Sequence, residues 1–519
     1  MSVPFLQVSL WGWHPIGREN LAMQYFLGID VGGSVIKSGL YDANGHEKGV
    51  ASISAPVVSP RLGWTERDMN EMWGIACETI HQVLRTSDVA GSDVAGISYS
   101  AHGKGLYAVD RNGNPVRNGI VSSDSRAMPL VRRWKSANLE EKTYPLGFQQ
   151  IWPSHPASLL AWLKENELDN YRKIDRILMA HDWIRYKMTG QLNAEVTNIS
   201  GSNLFNVRRE EYDRNLFALF GIEEMADCVA PIIDSAQSSA GVSKSAAAET
   251  GLREGTPVFG GFFDVVSAAV CSGLSDETRI NVTMGTWTIV TWVDSKISES
   301  NYPYTWGRYC IPGKYFVHEG SPTSASNLEW FVRNFMADKS NPYELANAMV
   351  ASVEKASTDI IFFPYLFASN LGDNLSGGFY GLANAHNFAH VVQALYEGIC
   401  FSQQAHLERI VALAGTSRPL RLTGGPARSK EWVQMVADIS GMPVEVVHVT
   451  ESGCKGAAIA AAVGSGAFPS FKDAMETMCP EVSSVEPDTS VTQRYQDKYA
   501  RFRQLAAVLN NATPTRELL

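Results

Sequence analysis

The run DVGGSVIK brings Asp30, Gly32, Gly33, Ser34 and Lys37 together. A carboxylate that ends a strand ahead of a glycine turn can hold a metal ion, while bare amides and a hydroxyl approach phosphate oxygens. Lys37 would neutralise charge nearby. The same string also suits a tight turn in which glycine takes positive φ and Asp30 satisfies backbone donors. A second small, hydroxyl-bearing turn, Gly285-Thr286, interrupts RINVTMGTWTIVTWVD. In GGFFDVVSAAV, Asp264 follows a glycine pair and precedes an apolar helical run. That position suits a helix N-cap, and it also suits a general base that takes a proton from an alcohol in a shielded cleft. RLTGGPARSKEW reads as a strand, a Gly424-Gly425 turn and a helix starting near Ser429, whose free amides could meet an anionic or nucleoside ligand. A plain strand-to-helix connection would read the same way. SAHGKGL adds His102, Gly103 and Lys104 in a glycine loop after a buried strand, where a lone histidine is more often a satisfied core residue.

These groups need elements to hold them. From Tyr25 the chain reads as strand, glycine turn, strand and a second turn at Asn44-Gly45, and the run from Arg279 repeats that pattern. Between the two hairpins strands and helices alternate. A helix spans about Met69 to Leu84, opened by Asp68 and Glu71 at capping-box spacing. A strand follows at VAGISYS, then helices at Ser158 to Leu163 and His181 to Lys187. After Arg279 helices are expected near Ser326 to Phe335, Phe388 to Ala412 and Lys430 to Ile439, followed by the strand PVEVVHV and a helical GCKGAAIAAAVG. Such alternation predicts an α/β fold of two halves meeting near residue 276, facing each other across a cleft.

Composition narrows the classes. With 519 residues, 45% hydrophobic and 19% charged, the chain is an ordinary globular one of more than one domain. A net charge of -10 argues against a surface for nucleic acid or anionic lipid, so any polyphosphate must be held locally. Seven cysteines without a C-x-x-C pair speak against a disulfide framework and a cysteine zinc site, and fit a reducing compartment. The first 22 residues lack a basic start and carry His14, Pro15 and Arg18 within their apolar stretch, so residues 1–23 are expected to be an extension ahead of the fold. No run reaches transmembrane length. The phosphate loop G-x-x-x-x-G-K-[ST], H-E-x-x-H, G-x-S-x-G and G-x-G-x-x-G are all absent from the sequence.

The order of these motifs resembles the FGGY carbohydrate kinases, a branch of the superfamily that includes sugar kinases, heat-shock protein 70 and actin. DVGGSVIK and MGTWT are similar to its two phosphate motifs, GGFFD to its catalytic motif and TGGPARSKEWVQMVADISG to its nucleotide motif. The resemblance implies two actin-like (ribonuclease H-like) ATPase domains with the active site in the cleft between them. A sugar-binding domain would occupy 24–276 and a nucleotide-binding domain 277–519. It implies ATP and Mg2+ as cofactors, a small-molecule sugar as substrate, a cytoplasmic location and a homodimer. Asp264 falls where the family keeps its base and contacts sugar, and Asp30 where it keeps an acidic group beside the magnesium phosphate. Gly32, Gly33, Ser34, Lys37, Gly285 and Thr286 fall on the phosphate side, Gly424, Gly425 and Ser429 near adenosine, and His102, Gly103 and Lys104 in the sugar loop. Gly33 stands where many relatives have threonine, so Ser34 would have to supply a lost hydroxyl contact. The strings AHGKGL, SSDSRAM, HEGSPTSASNLEWF and YEGICFS are similar to the L-xylulose kinase subgroup. They imply phosphorylation of the terminal hydroxyl of a ketopentose. Kinases for ribulose, D-xylulose, 3-keto-L-gulonate, erythritol or glycerol stay open, as do a non-catalytic sugar sensor and an actin- or chaperone-like ATPase.

Overall fold

A computed structural model describes residues 24–367, 369, 371–372 and 374–512, and the extension expected at 1–23 lies outside them. YFLGIDV and VIKSGLYD are almost wholly buried and form β1 (Tyr25–Val31) and β2 (Val35–Asp42), an antiparallel hairpin whose register sets Asp30 opposite Lys37. Gly45, at φ 78°, turns the chain into β3 (Glu47–Ser54). Asp68 then caps α1 (Met69–Ser87), its carboxylate accepting from the amides of Asn70 and Glu71. The buried strand β4 (Val94–Ala101) runs parallel to β1. After α2 (Ala180–Thr189), strands β5 (Ser238–Gly241), β6 (Pro257–Phe259) and β7 (Phe262–Phe263) complete a seven-stranded sheet ordered β5-β6-β4-β1-β2-β3, with β7 pairing the end of β4. Helix α3 (Asp264–Cys271) leaves directly from β7.

The second half repeats this wiring. β8 (Ile280–Met284) and β9 (Thr288–Asp294) form a hairpin, β10 (Thr305–Arg308) and β11 (Tyr315–Ser321) follow, and α4 (Phe388–Ala414) leads into β12 (Leu420–Gly424). Helix α5 (Lys430–Ser440), β13 (Val444–Val447), helix α6 (Ser452–Gly464) and β14 (Val482–Val485) come last. This sheet is ordered β10-β11-β9-β8-β12-β13-β14. In both sheets an antiparallel hairpin with a further antiparallel neighbour continues into two parallel strands, β4 and β6 in the first and β12 and β13 in the second.

The halves are joined by α6. Its sequence, SGCKGAAIAAAVG, is small and mostly buried, and it packs on β1, β2, β4 and α3 of the first half. Glycine makes that approach close: a Cβ on Gly28 of β1 would sit 1.8 Å from the Cys454 carbonyl oxygen. The contact therefore brings the start of α6 against the end of β1, where Asp30 lies. Among the described residues no helix is long and apolar enough to cross a membrane.

Candidate active site

Asp264 stands at the first position of α3, but it does not cap it. Phe263 is the N-cap and offers no side-chain bond, and Asp264 follows it as the first helical residue. Burial pushes that carboxyl up to about 7, and the charge of Asp30 pushes the same way. The Val265 amide and the Lys104 ammonium pull it back only in part. A carboxylate with a proton affinity near neutrality is suited to taking a proton from an alcohol.

Asp30, at the end of β1, is itself raised, chiefly by burial, against the opposing Ser100 hydroxyl and Lys37; Glu451 adds repulsion. The start of α6 presses on it: a Cβ on Gly453 would lie 2.5 Å from Asp30 Cγ. Lys37 Nζ binds Glu451 Oε2 at 2.6 Å. Burial works against its charge, yet Glu451 and Asp30 hold its proton on. The lysine expected on the phosphate side is thus tied to the segment that opens α6. Ser34 and Gly33 at the tip of the first hairpin are exposed, and Gly32 is partly so. Their turn is fixed from behind by Arg67, a buried guanidinium that donates to the carbonyls of Gly32 (3.1 Å), Ala55 (3.1 Å) and Gly33.

The tip of the second hairpin is also open. Thr286 and Trp287 are exposed, and the Gly285 amide closes the turn on the Trp287 carbonyl at 2.9 Å. Met284 pairs with Gly424, whose φ of 99° and 2.1 Å clearance to the Met284 carbonyl admit no side chain. Gly285, Thr286, Gly424 and Gly425 therefore gather at one end of the second sheet. Ser429 caps α5, its hydroxyl accepting from the Trp432 amide at 3.2 Å and donating to Asn347 Oδ1 at 2.9 Å. That hydroxyl has a structural task whatever ligand lies near it.

The sugar-loop residues divide. His102 is buried, with Nε2 paired to the Tyr107 hydroxyl at 3.0 Å and Nδ1 to the Gly103 carbonyl at 3.2 Å. Burial pushes it down to about 4, so it is neutral and shapes the loop. Gly103 packs on Phe263, leaving 2.4 Å for a Cβ. Lys104, at φ 62°, turns its ammonium over Trp152, 5.2 Å from the ring centroid. No local pattern in the chain marks Arg67, Glu451 or a buried group behind Phe263. There Glu195 accepts from the Thr197 hydroxyl at 2.7 Å, and that hydroxyl accepts from the Phe263 amide at 2.9 Å, fixing the strand end ahead of Asp264. From the second half, Phe316 (tilted) and His318 (edge-on) of β11 pack against Phe263 with ring centroids 6.0 and 5.8 Å away, so the two sheets meet beside Asp264.

The family resemblance implies a magnesium ion at this site. Among the described residues no three histidine, cysteine, aspartate or glutamate side chains cluster as a protein-only metal cage. Asp30, whose burial disfavours its charge, is the carboxylate that a cation would relieve, and a hard cation held by one carboxylate and substrate phosphates suits such a site.

Residues 25–271 match the model of the FGGY family of carbohydrate kinases, N-terminal domain, and 280–465 that of its C-terminal domain. The L-xylulose/3-keto-L-gulonate kinase of Escherichia coli (strain K12) is 44% identical over 94% of this chain and 97% of its own. The probable L-xylulose kinase of Pasteurella multocida is 42% identical over 94% of this chain and 99% of its own. Among solved structures, gluconate kinase and ligand-bound xylulose kinase from Lactobacillus acidophilus each superpose with a TM-score of 0.87 at 20% identity, covering 94% of this chain and 99% of theirs. At that identity they speak for the fold.

Proposed function

The chain belongs to the FGGY family of carbohydrate kinases, and from that premise we propose that it transfers the γ-phosphoryl group of MgATP to the terminal hydroxyl of a ketopentose, L-xylulose, giving L-xylulose 5-phosphate and ADP. The observation that carries this reading is Asp264, a carboxyl held near neutrality at the meeting point of the two sheets. Names of relatives at 44% and 42% identity support the sugar. The reading places the reaction in the cytoplasm.

The sugar lies against the loop of His102, Gly103 and Lys104, with its terminal hydroxyl at Asp264. As that oxygen attacks the γ-phosphorus, Asp264 takes its proton, and the bond to the β,γ-bridging oxygen breaks to release ADP. Transfer of this kind depends on alignment and on neutralising charge at the phosphoryl oxygens. Ser34, Thr286 and the exposed amide of Gly33 donate there. Gly424, Gly425 and the start of α5 border the nucleoside. Mg2+, when bound beside Asp30, supplies charge neutralisation at the phosphates. Arg67 holds the first turn from behind, and Glu195 with Thr197 fixes the strand end that carries Asp264. Closure of the cleft keeps water from the γ-phosphate.

The test is MgATP-dependent phosphorylation across L-xylulose, D-xylulose, L- and D-ribulose, 3-keto-L-gulonate, erythritol and glycerol, ranked by kcat/KM. L-xylulose is expected to lead. A different leading sugar keeps the kinase and overturns the substrate. Transfer to none of them points to a sugar sensor instead.

A further inference from the structure

Asp30 and Lys37 stand directly opposite each other in the hairpin of β1 and β2. Opposed residues of an antiparallel pair share a face, with Cβ atoms about 5 Å apart, and opposite charges placed so ordinarily join. Here they do not. Lys37 acts on Asp30 only through space, and its hydrogen bond goes to Glu451, 2.6 Å away. Glu451 has another use open to it, because it is the N-cap residue of α6, beside amides that favour a carboxylate. Its side chain makes no cap and goes to Lys37 instead. The segment that carries it is pinned on both sides. The Thr450 hydroxyl donates to Glu47 Oε2 of β3 at 2.7 Å, and the Gly453 carbonyl accepts from the Ser267 hydroxyl of α3 at 2.9 Å. Gly453 lies against Asp30, where a Cβ would come within 2.5 Å of the carboxyl carbon. Glu451 is therefore fixed two residues from the contact with Asp30, in a place from which it takes the ammonium. The charges there do not balance. Asp30 and Glu451 share one ammonium, and Asp264 adds a third carboxylate, which Lys104 answers only in part. A Lys37 closed on Asp30 would cover the carboxylate that a hard cation needs, because the cation would have to displace an ammonium before it could bind.

We propose that Glu451 is a positioning residue of this kinase: by holding Lys37 off Asp30, it keeps the Asp30 carboxylate open to a divalent cation. The inference rests on the kinase reading above and on the place which that reading gives Mg2+. Glu451 acts through Lys37 and not on the phosphates. Because it arrives from the start of α6 while Asp30 and Lys37 belong to the first hairpin, the metal position depends on the contact between α6 and the first sheet.

The experiment measures Mn2+ binding to the ADP complex by electron paramagnetic resonance, in the wild type, Glu451→Gln, Lys37→Met and the double variant. Calorimetric affinity for ADP in EDTA checks the folding of each. Glu451→Gln is expected to weaken Mn2+ about 10- to 100-fold, as loss of a group that positions a metal ligand does, with metal-free ADP changed by no more than a few fold. Lys37→Met alone should hold Mn2+ as well as the wild type or better. Added to Glu451→Gln, it should restore the metal to within a few fold, because no ammonium is left to cover Asp30. A bridge that merely braced the fold would weaken both single variants alike and leave the double no better, and that pattern would overturn the proposal. So would unchanged Mn2+ affinity in a Glu451→Gln protein that binds ADP. Loss of Mn2+ affinity in Lys37→Met would overturn it whatever Glu451→Gln does. Asp30→Asn with Mn2+ affinity intact would instead bring down the placing of the metal beside Asp30, and this inference with it.

Discussion

Replacing Asp264 by asparagine should stabilise the ligand-free protein while removing its activity. The folded chain moves the Asp264 carboxyl from 3.8 to about 7, roughly three units at about 1.4 kcal/mol each. An unfolded chain ionises near 3.8. Between that pH and 7 the unfolded state gives up a proton that the folded state keeps. The stability held below the unfolded pKa is therefore lost progressively as pH rises through about 7. The whole shift would be worth about 4 kcal/mol above pH 7. Water reaches the partly buried carboxyl, so about 2 kcal/mol is the expected size. Asparagine keeps the shape and never ionises, so it avoids this cost. The assay is the melting temperature of variant and wild type, without ligands, at about pH 5 and about pH 8. The variant should melt higher at both, with the larger gap at the higher pH. A variant that melts lower, or a gap that does not change with pH, would refute the idea that Asp264 is held against its own ionisation.

Asp30→Asn should move the acid limb of the kcat/KM profile to lower pH, because Asp30 is one of the charges that raise Asp264; a limb that stays near 7 would break that link. The same variant should need more Mg2+, read by titrating the metal at fixed ATP. Arg67→Met leaves the Gly32, Gly33 and Ala55 carbonyls without their donor, so it should cost about 3 kcal/mol of stability in urea unfolding and raise KM for ATP. Gly453→Ala forces a Cβ to 2.5 Å from Asp30 Cγ; the displaced carboxylate should lower kcat about 100-fold, with the sugar still binding by calorimetry.

Much of this architecture can be read along the chain because it is local. Both hairpins announce themselves through glycine turns between apolar arms, and Gly45 does take the positive φ that an Asn-Gly turn requires. The helices expected at Ser326 to Phe335, Phe388 to Ala412 and Lys430 to Ile439 appear with ends shifted by at most two residues. Asp264 is legible as a candidate because a glycine pair and an apolar helix flank it. Its freedom from capping is not, since that depends on the geometry at Phe263. What stays hidden is contact over long separations. Lys37 meets Glu451 across 414 positions, and no spacing rule links them. GCKGAAIAAAVG reads as a helix, but nothing in it says that it will lie on the first sheet; Gly28 and Gly39 beneath Cys454 admit the close fit, and that pairing needs the fold. Arg67 hides within TERD for the same reason, as its three carbonyl partners come from other segments. His102 shows the other side of this. It is prominent in a glycine loop, yet Tyr107 and Gly103 occupy both ring nitrogens.

The central claim is that Asp264 takes the proton from the sugar. Single-turnover transfer from radiolabelled MgATP to L-xylulose, run on wild type and Asp264→Asn with nucleotide affinity measured in parallel, tests it most directly. The account predicts a transfer rate lower by about 10² to 10⁴ in the variant, with MgATP affinity changed by no more than a few fold. Transfer near the wild-type rate in a variant that binds MgATP normally would contradict it.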